Sequence, residues 1–429
     1  MEDMEMKSSK MFYSSGFSFF LSLILLQAVS AANLSVSGGI NHTAAIRDDG
    51  TVWVWGDNSK GQFGYGVNEP ASGNTPVKVP GIEDVTALAA GGEFVIALKA
   101  DGTVWGWGGN YAGQLGNGTV AETSPPVQTS GLSGMTAVAA GLYHSLALKS
   151  DGTVSAWGFN GSGQLGNGTA AESASLPTTV SQVSGFENII AVAAGAEHSV
   201  ALKDNGTVWT WGKNDKGQLG KEGIALSKEP VWVSGISDVK FIAAGAYHTI
   251  ALTNNGTLWA WGWNEYKQLG ISTEPVNFSS KPEALPGLSN IKAAAGGTYH
   301  SLVLANDGTV RQWGGSDSAP VQVSNLSDVR EIASGEAHFI ALIGDGTIRV
   351  WGRNNQGQFG NGTHSAVDSN MPLQSLIHLR SLPNAVFSLQ IASGISPGMV
   401  TDKENDINGD KKVGIAEAVY FLHSASETR

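Results

Sequence analysis

The sequence predicts an all-β fold, a seven-bladed β-propeller of four-stranded antiparallel blades, followed by a small α-helical calcium-loop module at the C-terminus. Three observations carry this. The pair Trp-Gly recurs seven times, beginning at Trp55, Trp107, Trp157, Trp211, Trp261, Trp313 and Trp351. The segments before each pair alternate with period two, which specifies strands. After residue 376 this grammar stops, and a twelve-residue run of oxygen donors begins at Asp406.

Each unit is assembled in the same order. In the third copy a small-residue strand ends at Ala139-Ala140-Gly141, and His144-Ser145-Leu146-Ala147-Leu148 forms the second strand. Asp151-Gly152 supplies the positive φ angles of a tight hairpin. Thr153-Val154-Ser155-Ala156-Trp157-Gly158 makes the third strand, followed by Asn160 and Gly163-Gln164-Leu165-Gly166 in a loop. Most copies add a Pro-led apolar segment such as Pro76-Val77-Lys78-Val79 or Pro230-Val231-Trp232-Val233. Proline cannot donate to a ladder, so this is an outer edge strand. Successive Trp-Gly pairs lie 52, 50, 54, 50, 52 and 38 residues apart, and the short last step coincides with loss of the Gly-Gln-Leu-Gly loop after Trp313. Sheets of this size leave one face half-buried, and radial stacking buries those faces against each other. The anchor tryptophans and Trp53, Trp105, Trp209 and Trp259, two residues earlier, point to one side of their strands and are expected to fill the space between blades.

Composition narrows the function. The 429 residues include 57 Gly, no Cys and 14% charged residues, against roughly 25% charged in ordinary domains. Thiol chemistry, disulfides and cysteine-ligated metal are excluded. Lys and Arg number 25 against 37 Asp and Glu, a net charge of -12, and such a field repels a phosphate backbone, so no nucleic acid partner is expected. Lys7, Lys10, the apolar run over residues 17–26 and the small residues Ala28, Ser30 and Ala31 read as a signal peptide over residues 1–31. About ten strongly apolar residues are too few to cross ~30 Å of hydrocarbon, so no membrane span is expected once the signal is removed. The propeller then occupies residues 32–376 and the C-terminal module residues 377–429, in a protein expected to be secreted, cell-surface or periplasmic.

The recurring motifs Ala-Ala-Gly-x-x-His-Ser-Leu-Ala-Leu, Asp-Gly-Thr-Val, Trp-Gly-x-Asn and Gly-Gln-Leu-Gly, in fixed order over about residues 33–376, resemble the repeats of the regulator of chromosome condensation. The resemblance implies the fold more firmly than an activity. Intracellular members of that family exchange guanine nucleotide on a small GTPase, which the resemblance implies as an alternative function.

Strand order places the turn after each first strand and the loop after each third strand on one face, and the Asp-Gly turns on the other. On the first face the residue before each histidine position varies: Asn41, Glu93, Tyr143, Glu197, Tyr247, Tyr299 and Ala337. Tyr111, Phe159, Trp263 and Tyr266 sit in the loops outside that ring. Tyrosine and tryptophan on rigid loops suit partner recognition, because they bury much area for little conformational entropy. The candidate binding face is Asn41, Glu93, Tyr143, Glu197, Tyr247, Tyr299, Trp263 and Tyr266. His42, His144, His198, His248, His300 and His338 hold one place in six units, with Phe94 in the remaining one. A propeller spreads such positions too far apart for metal bonds near 2 Å, so these histidines are expected to be structural and hydrogen-bonded within each blade. Gly-x-Ser-x-Gly elbows and Gly-Lys-Ser/Thr phosphate loops are absent, and no catalytic residue is assigned.

In the C-terminal run, Asp406, Asn408, Asp410, the backbone carbonyl of Lys412 and Glu417 have the spacing of a twelve-residue loop for one Ca2+. Lys411 stands where such loops carry glycine. The flanking segments Ala385-Val386-Phe387-Ser388-Leu389-Gln390 and Ala418-Val419-Tyr420-Phe421-Leu422-His423 repeat at an offset of 33, as two short amphipathic helices. Helix plus loop, over about residues 382–424, resembles a dockerin, which implies docking onto a cohesin-like scaffold. The function expected from all this is an exported, non-catalytic module that binds an extracellular protein or glycan through its variable face, with calcium stabilising or attaching it. A guanine-nucleotide exchange factor and a dockerin-bearing polysaccharide-active protein are the alternatives.

Overall fold

The computed structural model describes residues 34–66, 71–170, 179–271, 277–315 and 317–380. These residues form seven four-stranded sheets, each with its strands in chain order, every neighbouring pair antiparallel. The first blade comprises Ser35–Gly38, His42–Ile46, Val52–Asp57 and Ser72–Lys78. The seventh comprises Val329–Ser334, His338–Ile343, Thr347–Asn354 and Ser365–His378. Both end blades are therefore complete without exchanging a strand. Residues 371–376 belong to the outer strand of blade 7, which runs on to His378, with Ile377 and Leu379 buried beyond them. Among the described residues there is no helix; the helices expected between residues 385 and 423 lie outside them.

One register repeats in all seven blades. The residue at the histidine position lies opposite the glycine of Trp-Gly, as in His42 with Gly56, Phe94 with Gly108 and His144 with Gly158. That glycine is required. Gly158 has φ +96°, and a Cβ there would stand 2.5 Å from the Tyr143 carbonyl oxygen. Each anchor tryptophan is buried in its own apolar cluster at the seam with the preceding blade. Trp211, for example, packs on Leu146, Leu148, Val154, Leu165 and Phe186 of blade 3. The tryptophans two residues earlier are only half-buried, and Trp53, Trp105 and Trp209 donate their indole N–H to the threonine of the adjoining hairpin turn.

Three sets of hydrogen bonds join the blades. In the first, six anchor indoles donate to the backbone carbonyl of the preceding blade's loop glutamine, from Trp55 to Gln358 at 2.7 Å through Trp313 to Gln268 at 2.8 Å. Blade 6 lacks that loop, and there the side-chain Oε1 of Gln312 accepts a hydrogen bond from Trp351 Nε1–H at 2.7 Å. In the second, the turns around the central channel form a closed backbone circle. Ile40 N–H donates to Gly92, Gly92 to Gly141, Leu142 to Ala196, Ala196 to Ala246, Ala246 to Gly297, Thr298 to Glu336 and Glu336 to Gly39, at 2.9–3.2 Å. The link from blade 7 to blade 1 is chemically the same as the other six.

The third set corrects the expectation that the histidines bond within their own blades. His144 Nε2 meets Ser199 Oγ of blade 4 at 3.0 Å, and His198, His248 and His338 likewise reach Thr249, Ser301 and Thr43 of the next blade. Each of those hydroxyls donates to the loop glutamine carbonyl, so it accepts from Nε2–H, which fixes the neutral tautomer. Blade 7 has Phe339 at the hydroxyl position, and His300 turns to Ser334. For His42 the corresponding residue of blade 2 is Val95, which has no hydroxyl. Burial pushes His42 and His248 down to about 4 and His144, His198, His300 and His338 down to about 3.

Two predictions follow from these seams. Gln312→Met leaves the buried Trp351 N–H without an acceptor, which costs about 1–3 kcal/mol, read as a lowered urea midpoint at unchanged m-value. The six histidines bind protons below about 6.5 when unfolded but only near 3–4 when folded. The unfolded chain thus holds more protons in that window, so unfolding free energy is expected to fall as pH drops from 6.5 towards 4. A stability flat across this range would show the histidines solvated.

Candidate functional site

The face carrying the first turns and the long loops is stiff by construction. In blade 5, Asn264 Oδ1 accepts from Leu269 N–H at 3.0 Å, while Gln268 Oε1 accepts from Tyr266 N–H at 3.0 Å. The same pair of bonds shapes the loops of blades 1, 2, 3, 4 and 7. Because that glutamine's carbonyl also receives the next blade's indole, loop shape and blade seam are fixed together. The register brings the residue before each histidine beside the residue after each Trp-Gly, so the face is a ring of such pairs. At its centre lies a cavity of about 320 Å³ lined by the alanines and glycines of the innermost strands.

The candidate residues separate into four groups. Asn41 accepts from Gln358 Nε2 of blade 7. Glu93, Tyr111 and Tyr143 form a second group: Tyr111 donates to Glu93 at 3.0 Å and lies edge-on to Tyr143 at 5.3 Å between centroids. Burial, helped by Tyr143 and Glu93, drives the Tyr111 phenol far above its ordinary value. Glu197 accepts from Ser162 at 2.7 Å and from Lys213 at 3.2 Å. The fourth group is an aromatic quartet on blades 5 and 6. Trp263 stands 5.5 Å from Tyr247, 5.2 Å from Tyr266 and 5.9 Å from Tyr299, and Tyr266 stands 4.8 Å from Tyr299, mostly edge to face.

Sequence reasoning missed the charged members of this rim: Lys213, Lys216, Glu336 and Arg353. Arg353 pairs with Glu336 at 3.3 Å, and Lys216 Nζ lies 6.0 Å from the Trp263 ring centroid. Lys213 and Arg353 directly follow a Trp-Gly pair and Glu336 stands two residues before His338, so the repeat register could have found these three, whereas Lys216 lies within the blade 4 loop. The opposite face is spent on its own turns, as Asp101, Asp151 and Asp307 each accept from the N–H and hydroxyl of the threonine two residues on. Among the described residues no group of three or more His, Asp or Glu could hold a metal. The calcium ligands Asp406, Asn408, Asp410, Lys412 and Glu417 lie outside the described residues. Among the described residues no helix is long and apolar enough to cross a membrane.

A seven-bladed propeller with an indole-to-loop bond at each blade seam and a loop-bearing rim defines a class of repeat-propeller proteins. The RCC1-like domain model matches residues 170–394, and RCC1 repeat models match 49–98 and 101–148 and also 34–62, 85–114 and 135–164. The chain belongs to the RCC1-like domain family. It is 30% identical over 197 residues to the human E3 ubiquitin-protein ligase HERC2, covering 46% of this chain and 3% of that protein. It is 30% identical over 198 residues to the secretion-regulating guanine nucleotide exchange factor of Bos taurus, covering 44% of this chain and 43% of that one. The RCC1 domain-containing protein RUG3, mitochondrial, of Arabidopsis thaliana is 33% identical over 201 residues, covering 46% and 33%. The chain thus spans less than half the length of these relatives. Among solved structures, human WBSCR16 has a TM-score of 0.70 at 26% identity, covering 76% of this chain and 95% of that one. Prp20p of Saccharomyces cerevisiae, described with its binding to Gsp1p and histones, has a TM-score of 0.67 at 25% identity, covering 80% and 87%.

These relatives overturn several expectations. The exported, non-catalytic module binding an extracellular protein, glycan or cohesin-like scaffold is corrected by these relatives, one named as a guanine nucleotide exchange factor and one described with its binding to Gsp1p and histones. The expectation of no enzyme activity is corrected by an exchange factor and a ligase among the relatives. Its physical flaw is plain: a missing nucleophile motif says nothing about an exchange factor, which works by binding. The secreted, cell-surface or periplasmic location is corrected by the same relatives, one of them named as mitochondrial. The signal peptide read over residues 1–31 lies outside the described residues.

Proposed function

We propose that this chain is a guanine-nucleotide exchange factor that holds a small GTPase on its loop-bearing face. The observation that carries the reading is the preformed rim, where loops pinned by asparagine and glutamine present Tyr143, Tyr247, Trp263, Tyr266 and Tyr299 beside Glu93, Glu197 and Glu336. Large aromatic side chains on a stiff frame lose little entropy on docking. A rim that binds the nucleotide-free GTPase more tightly than the nucleotide-bound form lowers the barrier to release without any covalent step. Carboxylates there disfavour the nucleotide's own phosphates, so the nucleotide is displaced and not carried. Similarity to an exchange factor and to a Gsp1p-binding protein supports the same reading.

The test is release of a fluorescent GDP analogue from a panel of small GTPases. One member is expected to lose nucleotide at least tenfold faster with the full chain, and Tyr143→Ala with Tyr247→Ala to abolish most of that gain. No acceleration across the panel would overturn the proposal.

For the residues beyond the propeller, the proposal is one calcium ion held by Asp406, Asn408, Asp410, the Lys412 carbonyl and Glu417, in a small module of the dockerin-like kind. The donor spacing supports it. Calcium is expected to raise a C-terminal unfolding transition by several degrees over chelator, and Glu417→Gln to remove the rise. A transition indifferent to both would refute the site.

A further inference from the structure

The aromatic quartet has a feature that docking of an arbitrary protein surface does not require. Its rings meet mostly edge to face, so none is stacked flat against another. Trp263 already draws a cation, since Lys216 Nζ sits 6.0 Å from its centroid, at the outer limit of the attraction. A lysine held so loosely can be displaced. The indole N–H is turned to Glu265 Oε2 at 3.3 Å, which adds negative charge beside the ring.

The surroundings carry charges of both signs. The charged groups acting on the quartet are Glu197, Asp215, Glu265 and Glu336, with Lys213, Lys216 and Arg353. Lys213 and Arg353 are already tied to Glu197 and Glu336 at 3.2 and 3.3 Å. Both Tyr247 and Tyr299 are held above the ordinary phenol value, by burial first. Next comes the nearby carboxylate, Glu197 for one and Glu336 for the other, which outweighs the adjacent Lys213 and Arg353. Finally, the site is open from blade 6. Its third strand ends at Gly314 and its outer strand begins at Asp317, so no long loop of its own blade stands over Tyr299.

We infer that Tyr247, Trp263, Tyr266 and Tyr299 form a docking site for an arginine side chain on the partner protein, which displaces Lys216 from the face of Trp263. Arginine fits better than lysine because its planar guanidinium stacks on an aromatic face and is weakly hydrated. This rests on the exchange-factor reading, in that the arginine is taken to belong to the GTPase.

Two measurements keep the inference and that reading apart. The first uses acetyl-Gly-Arg-Gly-amide and its citrulline counterpart, isosteric but uncharged, titrated at millimolar concentration into the full chain while the Trp263 indole N–H resonance is followed by NMR. The arginine peptide is expected to shift that resonance and the citrulline peptide to leave it in place. Lys216→Ala is expected to tighten the arginine peptide about 2- to 10-fold. The second measures GTPase affinity, where Trp263→Leu is expected to weaken binding and Lys216→Ala to strengthen it. Opposite signs from two variants cannot both come from misfolding. Equal response to both peptides, no response, a response to acetyl-Gly-Glu-Gly-amide instead, or weaker binding in Lys216→Ala would each overturn the docking site. If the peptide result holds while no GTPase responds in the exchange assay, the arginine site stands and the exchange-factor reading falls.

Discussion

The bond from each anchor indole to a glutamine carbonyl in the preceding blade is the contact on which the rest depends. It lies in a buried, apolar seam, where an unpaired indole N–H or carbonyl costs more than its bond returns in water. The acceptor belongs to a loop, and the same glutamine's side chain caps a loop amide, as Gln268 does for Tyr266. Loop conformation therefore cannot change without disturbing the seam. That coupling gives the rim the rigidity of the core while its outward side chains bear none of the packing. Blade 6 shows how strict the requirement is. With the loop lost, the protein supplies Gln312 Oε1 as acceptor, from a strand position that the other blades fill with Val54, Gly106, Ala156, Thr210, Ala260 and Val350.

Ring closure has a second basis. Many closed sheets solve the edge problem by letting one strand complete another's sheet, but here every blade is contiguous in the chain. The circle of backbone bonds between the first turns does the joining. It requires turns that approach one another closely, and a Cβ on Gly195 would stand 2.1 Å from His198 Cε1 and 2.6 Å from the Gly245 carbonyl oxygen. Small residues around the channel are thus a condition of closure, and the channel of about 320 Å³ is its geometric consequence. The buried neutral histidines lie just outside this circle and reach across the same seams.

Much of this was legible from period-two patterning and the repeat. The seven anchors, the strand order, the hairpin turns and the two-faced division needed only residues whose neighbours lie close in the chain. The pairing of Tyr247 with Trp263 was also within reach, since His248 opposite Gly262 makes their neighbours adjacent. What sequence concealed were contacts between blades. His144 and Ser199 are 55 residues apart and Trp351 and Gln312 are 39 apart, and nothing local tells whether a polar side chain turns to its own sheet or to the next. The meeting of Tyr266 with Tyr299 depended on the same unknown, the twist between neighbouring blades.

Function was less legible for a different physical reason. Reading chemistry from a sequence works when reacting groups must sit at bonding distance, because that constraint leaves a motif. A propeller rim escapes it. Its seven loops can carry any side chains that do not disturb Asn, Gln and Trp-Gly, so the residues that select a partner are the ones with no fixed pattern. Catalysis by binding leaves the same blank, because its work is done by the difference in affinity for two states of a partner. The missing nucleophile motif was therefore no evidence either way about catalysis of that kind. What a rim of this kind does encode is shape and sign: aromatic area at blades 5 and 6, carboxylates on either side, and a lowered wall where one loop was lost.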